Sequence, residues 1–246
     1  MNAAQLCERK QFVGTWLSLG SSVVAELAAD SGFDWLLFDL EHGCGSEAAL
    51  LPQLQAIRGS RAAGIVRVGA PHADLIARVL DWGADGIMVP HVSSAAEAEA
   101  CVRAMHYPPR GQRGFSRSVR GHGYGLRTPE MTPPVFFAQI ETIEAVERAR
   151  EIASVDGVDV LFVGPADLQF DLKARQDKAT RDYAGSLDQV AAAAAEAGKP
   201  CGILLREHAD LARIRALGFT HVAIDSDLGL LRAGYQALLA AANGGL

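Results

Sequence analysis

The run LLFDLEHG (residues 36–43) is apolar enough for a buried strand, yet it delivers Asp39, Glu41 and His42 to its end. Other apolar runs do the same: IVRVG carries Arg67, AQIET carries Gln139 and Glu141, and Asp167 follows in GPADL. Gln139 and Glu141 are two apart, so on a strand both face one side. A carboxylate buried there is costly unless a cation or hydrogen bonds compensate. Two compensations are open, a structural ion pair between Glu141 and Arg67 or a bound metal. Glu141 with Asp167 forms an all-oxygen ligand set, with no nearby cysteine and no obligatory histidine. Such a set favours Mg2+ or Mn2+ and leaves other positions to water and substrate oxygens. A helix starting at Pro165, Ala166 and Asp167 would offer free backbone N–H groups to a carboxylate. Arg67 could then meet the oxygen of a developing enolate, and His42 could move a proton. Asp39 and Glu41 are left between two roles: orienting His42 or a metal-bound water, and pairing with an arginine.

Lysine placement separates two ways of making a carbanion. A Schiff-base mechanism needs a buried amine at the site. The lysines are Lys10, Lys173, Lys178 and Lys199, and none ends a predicted strand. Metal-assisted enolisation is what remains.

These polar tips require strands that end at a common place. Eight short apolar runs are predicted as strands: 12–19, 35–41, 64–69, 86–92, 136–142, 160–165, 201–206 and 221–227. They are almost continuously apolar, as strands covered on both faces should be. Amphipathic segments such as PHADLIARVLDWG and IEAVERAREIAS separate them, and Gly32, Gly83, Gly198 and Gly218 stand where helices would stop. Strand then helix, eight times, predicts one α/β domain over residues 1–246, a (β/α)8 TIM barrel whose active site lies at the carboxyl ends of the strands. A doubly wound open sheet is the alternative, but no dinucleotide-type glycine-rich turn follows the first strand. Long loops are expected near 125–134 and over 170–185.

With 246 residues, 49% of them hydrophobic, the chain can bury a large core. Its net charge of −6 argues against nucleic acid or an anionic membrane as partner. The arginine-rich stretch RGQRGFSRSVRGHGYG reads better as a loop over the site or a contact between subunits. Cys7, Cys44, Cys101 and Cys201 are scattered, a pattern of reduced cytosolic thiols. The first residues lack the apolar stretch of a signal peptide and no run is long enough to span a membrane, so a cytoplasmic protein is expected. His91 ends the fourth strand near the rim, where a supporting role is open.

The motifs FDLEHG, VRVG, YPPRGQRGFS, QIET and GPADL, in this order over residues 14–225, resemble the HpcH/HpaI family of metal-dependent (class II) pyruvate aldolases. That family is typified by 4-hydroxy-2-oxoheptanedioate aldolase and includes 2-keto-3-deoxy-L-rhamnonate and 2-dehydro-3-deoxyglucarate aldolases. The resemblance implies a barrel of the phosphoenolpyruvate/pyruvate type, in a homohexamer whose subunits exchange the last helix. It implies a divalent metal (Mg2+ or Mn2+, with Co2+ a further candidate) on Glu141 and Asp167, and His42 as catalytic base. Arg67 would stabilise the enolate and bind pyruvate, with Gln139, Ala166 and Asp167 as further substrate contacts. Asp81 falls where a carboxylate raises the basicity of the histidine; on a helix, its reach would depend on a neighbouring subunit. The implied reaction is reversible cleavage of a 4-hydroxy-2-oxo acid to pyruvate, or another 2-oxo acid, and an aldehyde. Gln169-Phe170, Cys44-Gly45 and Trp82 depart from the family pattern and bear on the aldehyde partner. Two other readings compete: an acyl-CoA lyase like the citrate lyase β subunit, and a non-catalytic barrel that binds an oxo acid or a metal.

Overall fold

A computed structural model describes residues 3–129 and 131–244. The eight predicted strands all form: β1 (Phe12–Leu17), β2 (Trp35–Asp39), β3 (Ala63–Arg67), β4 (Gly86–Val89), β5 (Val135–Ile140), β6 (Val160–Val163), β7 (Cys201–Leu205) and β8 (His221–Ser226). They pair in parallel and in sequence order, and β8 returns to β1. Closure excludes the open doubly wound sheet.

Alternation along each strand builds two cores. Trp35 and Leu37 of β2, Ala63 and Ile65 of β3, and Val135 and Phe137 of β5 point inward and fill the barrel. Their neighbours Leu36, Phe38, Val66, Phe136 and Ala138 point outward beneath the helices. Gly14 is required by this packing, because a Cβ there would lie 2.3 Å from the Trp35 ring.

The helices are α1 (Ser22–Asp30), α2 (Glu47–Ala56), α3 (Ala73–Asp81), α4 (Ala95–Met105), α5 (Ile143–Glu147), α6 (Ala149–Ser154), α7 (Pro165–Ala174), α8 (Tyr183–Glu196), α9 (Leu211–Ala216) and α10 (Asp227–Ala242). Hydroxyl or carboxylate side chains cap several of them; Ser94, Thr142 and Asp182 accept from backbone N–H groups in the first turn. The four stop glycines all take positive φ, between 70° and 97°.

Three corrections apply to the predicted elements. The strands stop up to three residues early; at β2 the Asp39 carboxylate accepts the N–H groups of Glu41 and His42 and turns the chain. The loop expected over 170–185 is helical at both ends, α7 running to Ala174 and α8 starting at Tyr183. Asp171 and Arg175, one turn apart, pair at 2.5 Å and tie α7 down, while Asp171 also accepts the Ile143 N–H at 2.8 Å. The segment IEAVERAREIAS is two helices, α5 and α6, broken at Arg148.

The amino-terminal rim carries a device the sequence analysis missed. Asp34, Asp85 and Asp159 each precede an even-numbered strand and accept a backbone N–H from the preceding strand, of Val13 (2.9 Å), Gly64 (2.8 Å) and Phe136 (2.8 Å). Each satisfies a donor the ladder leaves open.

Helix α10 leaves the barrel with its apolar side uncovered: Leu230, Tyr235, Leu238 and Leu239 are exposed, as are Val23 and Leu27 of α1. Among the described residues no helix is long and apolar enough to cross a membrane.

Candidate active site

The parity that fills the barrel also selects what reaches its mouth. Asp39 follows Trp35 and Leu37, Arg67 follows Ala63 and Ile65, and Gln139 and Glu141 follow Val135 and Phe137. All four are buried. Asp39 and Arg67 are register partners on adjacent strands, so their meeting follows directly from the sheet.

Arg67 binds Asp39 in a two-pronged pair, Nε to Oδ1 at 2.9 Å and Nη2 to Oδ2 at 2.7 Å. Its Nη1 lies 2.9 Å from Glu41 Oε2, an ionic contact whose alignment falls short of a hydrogen bond. The guanidinium also sits 5.2 Å over the Trp16 ring. Thus the ion pair left open between Arg67 and Glu141 does not form; Arg67 is fixed by Asp39 and Glu41. Burial alone would raise the Asp39 carboxyl, but the hydrogen bond and charge of Arg67 hold it below its ordinary range. Glu41 moves the opposite way: burial raises it by more than Arg67, His42 and His91 lower it. His42 projects into solvent at the rim, with Nε2 3.7 Å from Glu41 Oε1.

Glu141 is 1% exposed and is served by neutral donors. The His91 backbone N–H donates to Oε1 at 2.7 Å and Gln139 Nε2 donates to Oε2 at 2.6 Å. His91 achieves this with φ of 54°, a left-handed conformation uncommon for a side-chain-bearing residue. Its imidazole Nδ1 is 3.3 Å from Glu141 Oε1, and its Nε2 is 3.9 Å from Glu41 Oε1. Gly164 closes the other side, where a Cβ would fall 2.1 Å from Glu141 Oε2 and 2.7 Å from Gln139 Nε2. Burial pushes the Glu141 carboxyl up to about 7, the His91 N–H opposes this, and the Asp167 and Glu41 charges add to it.

This arrangement fits a divalent cation. A buried carboxylate beside a second carboxylate gains from a positive charge that the neutral donors cannot supply. Asp167 stands in the first turn of α7, whose N-cap is Gly164 and whose first residue is Pro165. Gln139 Oε1, buried and without a hydrogen-bond partner, adds an unused acceptor in the same wall. Among the described residues no three His, Cys, Asp or Glu side chains form a metal cluster of their own. A two-carboxylate set of this kind leaves coordination positions to water and substrate.

A cavity of about 830 Å3 opens at the barrel mouth, with Asp39, His42, Arg67, Gln139, Ala166 and Asp167 in its wall, while Glu141, 1% exposed, is not one of its wall residues. Asp81 does not reach it within one chain. As the last residue of α3, which runs back against the strands, it lies at the opposite end of the barrel and pairs with Arg113 at 2.6 Å. It borders a separate hollow of about 520 Å3 with Arg78, Trp82 and Arg120. Trp16, Gly164 and the backbone of His91 are parts of the site that the sequence analysis did not identify. The Gly-Pro pair before a helix and the histidine ending a strand were the available signals.

The model of the HpcH/HpaI aldolase/citrate lyase family matches residues 13–233. The 5-keto-4-deoxy-D-glucarate aldolase of Salmonella arizonae is 38% identical over 236 residues, 92% of this chain and 90% of that protein. An HpcH/HpaI aldolase/citrate lyase family protein from Burkholderia cenocepacia superposes with a TM-score of 0.89 at 33% identity, over 97% of this chain and 98% of that one. The HpcH/HpaI aldolase from Desulfitobacterium hafniense gives 0.86 at 26% identity, over 99% and 96%. Such likenesses over nearly the whole length make the protein a carbon–carbon lyase of the aldolase type, and the chain belongs to the HpcH/HpaI aldolase/citrate lyase family.

Proposed function

We propose that the chain reversibly cleaves a 4-hydroxy-2-oxo acid to pyruvate and an aldehyde, with Glu141 and Asp167 holding Mg2+ or Mn2+ (Co2+ being a further candidate). The observation that carries this reading is Glu141, buried, oriented by two neutral donors and in the field of the Asp167 and Glu41 charges. When bound, the metal supplies positive charge against which the oxo acid can take up carbanion character.

The chain's own residues supply the rest. The carboxylate of the oxo acid meets the N–H groups at the start of α7, at Ala166 and Asp167, where a helix N-terminus favours an anion. Gln139 contacts the substrate from the barrel wall. His42 accepts the proton of the C4 hydroxyl as the C3–C4 bond breaks and the aldehyde leaves. Arg67, immobilised by Asp39 and Glu41, faces the enolate oxygen that gains charge. A proton from solvent is then added at C3 to give pyruvate, and His42 releases the proton it took up. Asp81 enters from an adjoining copy, as the carboxylate that raises the basicity of His42. The uncovered apolar sides of α10 and α1 support a homohexamer in which copies exchange the last helix. The free cysteines accord with a cytoplasmic setting.

The test is direct. Metal-stripped protein is incubated with a racemic 4-hydroxy-2-oxo acid, Mg2+ or Mn2+ is added, and pyruvate is followed with a coupled dehydrogenase. Pyruvate release that depends on the metal supports the reading. Release that persists in chelator and is abolished by borohydride trapping with substrate would falsify it.

A further inference from the structure

The wall of the cavity facing the carboxylates is formed by the ends of β7 and β8 and the start of α10, and the reaction as described gives it no task. It contains the third non-glycine residue with positive φ among those described, Asp225 at 50°. Such strain persists only where the surroundings over-determine it, and it gathers at functional sites. The surroundings here do so. The Thr15 hydroxyl donates to the carbonyls of Ile224 and Asp225, at 3.0 and 3.3 Å. A Cβ on Gly229 would fall 2.0 Å from Asp225 Oδ1, so the carboxylate rests against a position that only glycine leaves open. Arg206, at the end of β7, places Nη1 3.3 Å from Asp225 Oδ1 and 3.1 Å from Ser226 Oγ. The same Ser226 hydroxyl accepts the Gly229 N–H and caps α10.

The ligand this wall suits follows from its charges. Arg206, Arg213 and Arg232 line this wall together with Glu207, Asp210 and Asp225, so the formal charges of the wall cancel. A balanced wall offers little to a free carboxylate. An arginine paired with an aspartate does suit a hydroxyl, which uses both a donor and an acceptor within hydrogen-bond distance of its oxygen. An apolar group in its place would leave both unmatched.

We propose that Arg206 and Asp225, seated on Gly229, form the aldehyde-end subsite and select a hydroxylated aldehyde over an apolar or carboxylate-bearing one. This rests on the aldolase reading above, and the experiment separates the two. Wild-type enzyme with Mg2+ is first assayed for deuterium exchange into the methyl group of pyruvate without any aldehyde; absence of exchange removes the aldolase reading and this subsite with it. Given exchange, kcat/KM for aldol addition is compared for glycolaldehyde, its near-isostere propanal, and succinic semialdehyde. Glycolaldehyde should lead each of the others by about 10- to 100-fold, the discrimination expected of hydrogen bonds to charged groups. Arg206→Met should lower the glycolaldehyde-to-propanal ratio at least 10-fold, and Arg206→Lys should restore part of it. A ratio in Arg206→Met equal to that of wild type, or a wild-type preference for propanal or succinic semialdehyde, overturns the subsite.

Discussion

Gly164→Ala tests whether the carboxylate of Glu141 must stand where it does. The added Cβ would sit 2.1 Å from Glu141 Oε2, whereas ordinary contact begins at 3.4 Å. Relief therefore requires a shift of about 1.3 Å, and Gln139 Nε2, at 2.7 Å from the same point, blocks part of the escape. The backbone has no objection to alanine, since Gly164 has φ of −90°. Overpacking of this kind costs about 1–3 kcal/mol, so the barrel should still fold. A misplacement of about 1 Å in a catalytic constellation costs about 100-fold, and the affected group is here a proposed metal ligand. The variant should melt within a few degrees of wild type, bind Mn2+ at least 10-fold more weakly by isothermal titration, and lose about 100-fold in kcat/KM. Unchanged Mn2+ affinity in a folded Gly164→Ala protein would remove Glu141 from the metal site and the proposed function with it.

Four further outcomes are expected. His42→Ala should keep Mn2+ affinity and lose most aldol cleavage; unaltered turnover would take His42 out of the mechanism. Arg67→Lys cannot reproduce the two-pronged pair with Asp39 and should lose at least about 100-fold in kcat/KM. His91→Gly keeps both the left-handed backbone and the N–H that serves Glu141, so it should hold Mn2+ more tightly than His91→Ala; the reverse order would assign the support to the ring. His221, buried beneath Phe12 and Phe137, is held neutral by burial with its pKa lowered to about 4. Its folded value lies below the unfolded one of about 6.5, so the neutral form's contribution is complete above pH 6.5 and is lost as pH falls toward 4. The loss should reach about 2 kcal/mol by pH 5 and be absent in a folded His221→Gln variant, measured by urea unfolding across that range.

What the sequence made legible followed from one periodicity. Apolar runs of strand length with polar residues at one end specify both the barrel and the rim on which Asp39, Arg67, Gln139 and Glu141 meet, because parity along a strand is a local property. What stayed hidden is non-local or lies in the backbone. No pattern in the sequence says that Arg67 would pair with Asp39 and Glu41 rather than Glu141; that depends on register between neighbouring strands. His91 acts first through its N–H, a group every residue but proline possesses, and only its φ of 54° aims that group at Glu141. Gly164 looks like a helix cap until a Cβ is placed on it and meets two buried side chains from β5. Asp81 shows the limit most plainly. Its helix carries it to the far end of its own barrel, so any part it has in the chemistry must be played in the mouth of another copy. The exposed leucines of α10 and α1 are the packing counterpart of the proposed assembly, since apolar side chains left uncovered together on a helix offer a surface to a partner. In the proposed assembly catalysis and packing become one problem: weakening the contacts between copies should slow aldol cleavage in proportion to the fraction of His42 groups deprived of a neighbour's carboxylate, read as turnover per subunit against protein concentration.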